Sequence, residues 1–291
     1  MTKASSSMPA RWTVPLPFRL VWLVSMLLSL AACATQPGAD ARIQAGHTAL
    51  HKAGFIRADV DPALLTQAWV RDTARAAEPE TPWHIYIEGD GLAWQSRGRP
   101  SANPTPITPI ALHLATQDPS PRVAYLGRPC QFFSPLPEGC HHADWTNDRY
   151  APRQAERLLQ AMQVFSPESP VIFIGYSGGA HLAVQLSTRY PHTEGIVTVA
   201  GNLNNDEFSR FHRIAQHNAA GTSPTSLPIW SLSGKRDSII PPALTERMLQ
   251  RVATNPGCRY HQIDELAEHS GPWQLEWGRI LPHLEQCSTP H

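Results

Sequence analysis

The chain carries no excess of charge: Lys plus Arg and Asp plus Glu number 24 each, and charged residues make up only 16% of the 291. There is no basic stripe and no basic patch interleaved with aromatic residues, so the electrostatic footprint of a nucleic-acid binder is missing. No C-x-x-C occurs, which argues against a thiolate metal site. Long low-complexity runs are absent, and the longest strongly apolar run, residues 20–30 (LVWLVSMLLSL), is too short to span a bilayer comfortably. What is plentiful is proline, at 28 residues, which favours rigid loops over a helical bundle. A 42% hydrophobic chain of this length can bury one large core, and a single domain is the simplest count.

The N-terminus reads as a targeting segment. Lys3, Arg11 and Arg19 precede or enter the apolar run, and no acidic residue occurs before position 33. The run ends in Leu30-Ala31-Ala32-Cys33, with small residues where a signal peptidase cuts. This ending resembles the bacterial lipobox. The resemblance implies that residues 1–32 are removed, that Cys33 becomes a lipidated first residue, and that residues 33–40 tether a single domain spanning 41–291. An ordinary signal peptide with an incidental cysteine is the alternative. Ala34, rather than Asp, follows the cysteine, which by resemblance to lipoprotein sorting favours the outer membrane over the inner. Without the leader, 21 basic groups face 24 acidic ones, a mildly acidic protein.

Cysteine usage agrees with export. Beyond Cys33 remain Cys130, Cys140, Cys258 and Cys287, an even set for an oxidising compartment. Three pairings are open. Proximity favours Cys130–Cys140 and Cys258–Cys287, each worth roughly 2–4 kcal/mol on the chain-entropy account.

The stretch from Pro170 to Tyr190 (PVIFIGYSGGAHLAVQLSTRY) organises the rest. Residues 171–174 are continuously apolar, as in a strand buried on both faces, and Ala180, Leu182, Ala183 and Leu186 recur at helical spacing. Between them stands Gly175-Tyr176-Ser177-Gly178-Gly179, the G-x-S-x-G of a nucleophile elbow in its strand–turn–helix context. Gly175 and Gly179 let strand and helix pass close to the turn, and the Gly178 N–H is aimed where an oxyanion would form.

Elsewhere the pattern predicts a helix over 41–53, strands over 55–60 and 65–71, and a clearer strand over 84–88 running into Gly89-Asp90-Gly91. That turn is a candidate source of a second oxyanion donor, Asp90, with Gly91 as the neighbouring choice and a plain turn as the bland one. Glu88 is awkward there, since a carboxylate beside a developing oxyanion is unfavourable unless hydrogen-bonded away. Residues 101–109 read as an exposed loop, 110–116 as a helix and 122–126 as a strand. Residues 127–150 form an irregular section in which His141, His142 and Asp144 could ligate a metal, though adjacent loop histidines are more often surface. Helix 151–165, strand 195–200, a short helix at 206–217, strand 228–232, a helix from 242, strand 259–263 and a last helix opening at Gly271-Pro272 complete an alternating β/α order with a mostly parallel sheet. The insertion between Gly201 and Leu227 leaves room for only a small lid.

A serine nucleophile needs a base, and the base an orienting acid. Ser177, Asp237 and His269 occur in that order, each at or just beyond a predicted strand's carboxyl end. With the elbow, the G-x-x-D turn before a Pro-started helix and the H-S-G-x-W loop, the chain from about Trp83 onward resembles the α/β-hydrolase superfamily. Asp264 or Asp206 could replace Asp237, and His261 could replace His269. The resemblance implies helices on both sheet faces, an acyl-enzyme mechanism with Ser177, His269 and Asp237, an oxyanion hole from Gly178 and Asp90, and neither cofactor nor metal. The implied partners are a small acyl substrate and a membrane held through the lipid anchor, with nothing to fix oligomeric state. An ester is the first substrate reading. A peptide or thioester bond, or a non-catalytic binding lipoprotein, are the alternatives.

Overall fold

In the computed structural model the described residues are 37–74, 81–214 and 222–288. Cys33 and the apolar run before it lie outside them. The chain opens with helix α1 (Ala39–Lys52), followed by strands β1 (Ile56–Arg57), β2 (Ala68–Asp72) and β3 (Trp83–Ile87). A hairpin, β4 (Trp94–Ser96) and β5 (Arg99–Pro100), precedes α2 (Ile110–Gln117) and β6 (Arg122–Leu126). Then come α3 (His142–Trp145), α4 (Pro152–Met162), β7 (Val171–Tyr176), α5 (Gly178–Ser187), β8 (Thr193–Val199) and α6 (Asn205–His212). The last elements are β9 (Ile229–Gly234), α7 (Pro242–Val252), β10 (Arg259–Asp264) and α8 (Trp277–Ser288).

Eight strands form one sheet in the order β1-β2-β6-β3-β7-β8-β9-β10. From β6 to β10 the pairs are parallel, and only β2 runs against the other strands, pairing antiparallel with both β1 and β6. The reason for the unbroken apolar runs is visible in the core. Along β3 and β7, Ile85, Ile87 and Phe173 pack with α4, α5 and α7 on one face. The alternate residues Tyr86, Ile172 and Ile174 pack with α1, α2 and α8 on the other. A strand covered on both sides has no polar face to show. Each such large side chain, buried fully, contributes about 1.5–3 kcal/mol. The compact unit spans Gly38–His291 and holds the sheet, its helices and both disulfides. Among the described residues no helix is long and apolar enough to cross a membrane.

Several expectations shift. The first two strands shorten to 56–57 and 68–72. Segment 101–109 is not an exposed loop, since Ser101 and Thr105 are buried. It is pinned beneath the cysteine loop: Phe132 N–H donates to Thr105 Oγ1 at 2.8 Å and the Asn103 amide to the Phe133 carbonyl at 2.8 Å. Prolines serve well there because they bring no N–H that burial would leave unpaired. The last helix starts at Trp277 rather than Gly271. Gly271, at φ +109°, instead exchanges backbone hydrogen bonds with Glu268 and closes a turn. The short helix expected over 206–217 is α6, and residues 215–217 lie outside the described residues. Cys130 is joined to Cys140 and Cys258 to Cys287. The first clips the loop after β6, and the second ties the start of β10 to α8.

Candidate active site

β7 ends on Tyr176, and the chain turns at once into α5 through Ser177 at φ +49°, ψ −120°, a left-handed conformation costly for a side-chain-bearing residue. The turn is held from both sides. Ser177 N–H donates to the Val199 carbonyl at 3.0 Å, and the Ser177 carbonyl accepts from Asn202 N–H at 2.9 Å. A Cβ at Gly175 would collide with the Ala180 backbone, and one at Gly179 with the carbonyls of Ile87 and Glu88. Glycine is required at both places because β7, α5 and β3 converge there.

Three loops that follow β7, β9 and β10 then bring the expected side chains together. Ser177 Oγ lies 3.0 Å from His269 Nε2, and His269 Nδ1 lies 2.8 Å from Asp237 Oδ2. Asp237 is buried, and its second oxygen accepts the N–H groups of Ile239 and Ile240, each at 2.8 Å. Burial by itself would raise this carboxyl. The hydrogen bond and charge of His269, with the two backbone donors, outweigh that and hold it below the ordinary aspartate value. The histidine loop is fixed through its own backbone: the His269 carbonyl accepts from Tyr176 Oη and Trp273 Nε1, both at 3.1 Å.

The replacements weighed for these residues are committed elsewhere. His261 Nε2 sits 2.6 Å from Ser233 Oγ, and Ser233 is fully buried inside β9. Asp264 Oδ1 accepts from Leu266 and Ala267 N–H at 2.8 and 2.9 Å, closing the turn after β10. Asp206 stands in the first turn of α6. Asp144 is buried and takes Gln154, Arg153 and Arg157, and it caps α3 together with His141, which gives that loop a structural account. Among the described residues no group of three His, Cys, Asp or Glu is arranged to hold a metal.

The turn after β3 lies against the elbow. A Cβ on Gly89 would stand 3.4 Å from Ser177 Cβ, and one on Gly178 would collide with the Asp90 carboxylate and the Tyr150 hydroxyl. Neither Asp90 N–H nor Gly178 N–H is used in a hydrogen bond among the described residues. Gly91 serves the turn itself, at φ +66° and pressed on the Pro104 carbonyl.

Sequence reasoning missed what holds Asp90. Arg128 pairs with its Oδ1, Arg149 Nε lies 3.0 Å from Oδ2, and Tyr150 Oη is 3.1 and 3.2 Å from the two oxygens. Burial raises this carboxyl, but the two arginines and the tyrosine outweigh it and hold it low. No local signal marks this cluster, because its members come from three places in the chain.

Glu88 is resolved by capping. Its carboxylate accepts from Gly89 N–H at 2.9 Å, from Tyr125 Oη at 3.0 Å, and from Ala111 and Leu112 N–H at 3.4 and 3.3 Å. It therefore caps α2, whose preceding Pro109 offers no capping side chain. Burial raises its pKa against these four donors. Glu88→Ala leaves buried donors unpaired and opens a cavity, so it is expected to destabilise by about 2–4 kcal/mol. Urea unfolding measures this, and a loss below ~0.5 kcal/mol would remove the capping role.

A cavity of about 630 Å³ lies at the opposite edge of the sheet, lined by His84, Ser120, Ile172, Trp277 and Leu284. Ile172 precedes Ser177 by five strand residues, about 17 Å along β7.

No protein-family model and no curated protein matches the sequence. Solved structures do match the fold. TT1662 from Thermus thermophilus aligns with TM-score 0.50 at 16% identity, over 81% of this chain and 98% of that one. A membrane phospholipase A described as a bacterial virulence factor aligns at 0.52 and 13%, over 94% and 100%. A candidate lipase from Acinetobacter baumannii AYE aligns at 0.51 and 14%, over 88% and 98%. With a mostly parallel eight-stranded sheet, helices on both faces and an elbow after its central strand, the chain has the α/β-hydrolase fold.

Proposed function

We propose that the protein is a serine hydrolase that cleaves a carboxylic-ester bond, held at the cell envelope by lipid on Cys33. The observation that carries the activity is the unbroken relay Ser177–His269–Asp237 on a strained elbow. His269 takes the Ser177 proton as Oγ attacks the acyl carbon, and Asp237 keeps the imidazole in the tautomer whose Nε2 is free to accept. The N–H groups of Gly178 and Asp90 stabilise the tetrahedral oxyanion, each worth about 3–4 kcal/mol. His269 then protonates the leaving alcohol. Water, activated by the same base, releases the acid from the acyl-enzyme. Every proton in this route is handled by these side chains, so it calls for no cofactor.

The Asp90 anchor supports the oxyanion reading, since a donor whose carboxylate is held by two arginines and a tyrosine needs no reorganisation when charge develops. The phospholipase and lipase names of two similar structures favour an ester over a peptide or thioester bond. The short insertion after Gly201 favours an open site. A binding lipoprotein without activity is disfavoured because strain at Ser177 and a buried acid have no use there. Lipidation at Cys33 and an outer-membrane location rest on the Leu-Ala-Ala-Cys-Ala sequence.

The test is turnover of p-nitrophenyl esters of rising chain length by the chain lacking residues 1–33, beside labelling with a fluorophosphonate. Turnover with labelling is expected. Labelling without turnover of any ester would move the substrate to a peptide or thioester, and neither would leave a binding lipoprotein.

A further inference from the structure

The apolar side chains left in water are not spread evenly. Nine large ones are exposed among the described residues. Six of them, Trp94, Ile107, Phe211, Ile214, Ile239 and Leu266, lie on segments that follow the carboxyl ends of strands, the edge that also carries Ser177, Asp237 and His269. Single exposed apolar residues need no account, but their collection on one edge marks an interaction surface.

The hairpin β4–β5 gives that surface its chemistry. Its base is fastened to the turn after β3: Leu92 N–H donates to the Pro104 carbonyl at 3.1 Å and Ser101 N–H to the Ala93 carbonyl at 3.0 Å. Beyond the base, every residue from Trp94 to Arg99 is exposed, turning on Gly98 at φ +78°. Arg128 and Arg149 on this edge share the Asp90 carboxylate, and Arg210 is paired with Glu207. Arg97 and Arg99 make no ion pair and no side-chain hydrogen bond among the described residues. Indole settles at the boundary between hydrocarbon and water, and an unpaired guanidinium fits phosphate bidentately. Two free arginines beside an exposed tryptophan, backed by isoleucine, phenylalanine and leucine, match a bilayer surface bearing anionic headgroups.

We propose that this edge is a lipid-docking surface, with Trp94, Arg97 and Arg99 seated among the headgroups of an anionic bilayer and Phe211, Ile239 and Leu266 facing the same membrane. Ser177, carried on the same edge, then faces the lipid. Two arginines are too few to register as a basic stripe in sequence, and only the hairpin shows them to be unpaired.

The compact unit Gly38–His291, which carries the whole described fold and no leader, is suited to the test. It is produced under oxidising conditions and mixed with vesicles of phosphatidylcholine alone or with 30% phosphatidylglycerol. Cosedimentation is expected with the anionic vesicles and to weaken with salt. The double variant Arg97→Ser/Arg99→Ser is expected to lose about 30-fold in partitioning, at about 1 kcal/mol for each basic residue near an anionic surface. Trp94→Ser is expected to weaken binding to both kinds of vesicle. Lys52→Ser/Arg189→Ser, with the same change of net charge at exposed positions toward the other edge, is expected to partition like the parent. Equal losses in both double variants, or a parent that stays in solution with anionic vesicles, would overturn the docking surface. Circular dichroism confirms that each variant is folded. Because binding is read without turnover, this result stands apart from the hydrolase reading.

Discussion

Ser177→Ala is expected to abolish ester turnover, lowering kcat by about a millionfold, while the protein stays folded and keeps its affinity for substrate. The size of the effect follows from what the hydroxyl does. Without Oγ there is no atom to carry the acyl group, so the two-step route closes and only attack by water in the preorganised site remains. The residual rate comes from the oxyanion donors, which the substitution leaves in place. The fold should tolerate the change well, because alanine meets the same left-handed backbone at φ +49° and fits where serine fitted. The strain itself is removed by Ser177→Gly, which lifts the penalty for positive φ and is expected to stabilise by up to about 1 kcal/mol. Steady-state kinetics with p-nitrophenyl esters, thermal unfolding and fluorophosphonate labelling together decide this. If Ser177→Ala retained more than a hundredth of the parent's rate, the nucleophile would lie elsewhere. His261 is then the base to examine, but its partner Ser233 is enclosed in the sheet and out of substrate's reach.

The sequence made the order of elements and the three relay residues readable for one physical reason: each is marked by local chemistry. A buried central strand has to be apolar throughout, a tight elbow has to be glycine-rich, and loops after parallel strands collect on one edge. Ser177, Asp237 and His269 therefore stood at recognisable places. Arg128, Arg149 and Tyr150 did not, because their meaning is contact with Asp90 across 38 to 60 residues of chain. Glu88 looked like a liability for the oxyanion, and only the position of α2 above it explains the carboxylate. The hairpin at Trp94 was invisible because its strands are three and two residues long. Segment 101–109 was misjudged as exposed because proline marks irregular backbone, and irregular backbone can still be covered when its carbonyls and side chains find partners.

Asp237→Asn is expected to lower kcat about ten-thousandfold while leaving substrate affinity and fold largely unchanged, and the reason lies in the hydrogen bonds around the acid. Asp237 Oδ1 accepts two backbone N–H groups and Oδ2 accepts from His269 Nδ1. In the asparagine variant the amide oxygen stays with Ile239 and Ile240, since turning the amide over would set its NH₂ against two donors. The amide nitrogen then faces His269 Nδ1 and makes that nitrogen an acceptor. The imidazole proton moves to Nε2, where the Ser177 hydroxyl needs a lone pair, and the base is lost with every atom in place. Asp237→Ala differs in kind: it strands the two N–H groups, at about 1–3 kcal/mol of stability, besides removing the orienting acid. The pH dependence separates the two roles. The folded carboxyl titrates below the ordinary value of about 3.9, so its contribution to stability is complete above that value and is lost as pH falls through the folded one. The parent should lose stability along that acid limb, and Asp237→Asn should lack this part of it. Urea midpoints between pH 2 and 6, with kcat at neutral pH, provide the measurement. A variant within tenfold of the parent rate would show that the imidazole is oriented by Tyr176 and Trp273 through its loop rather than by the acid.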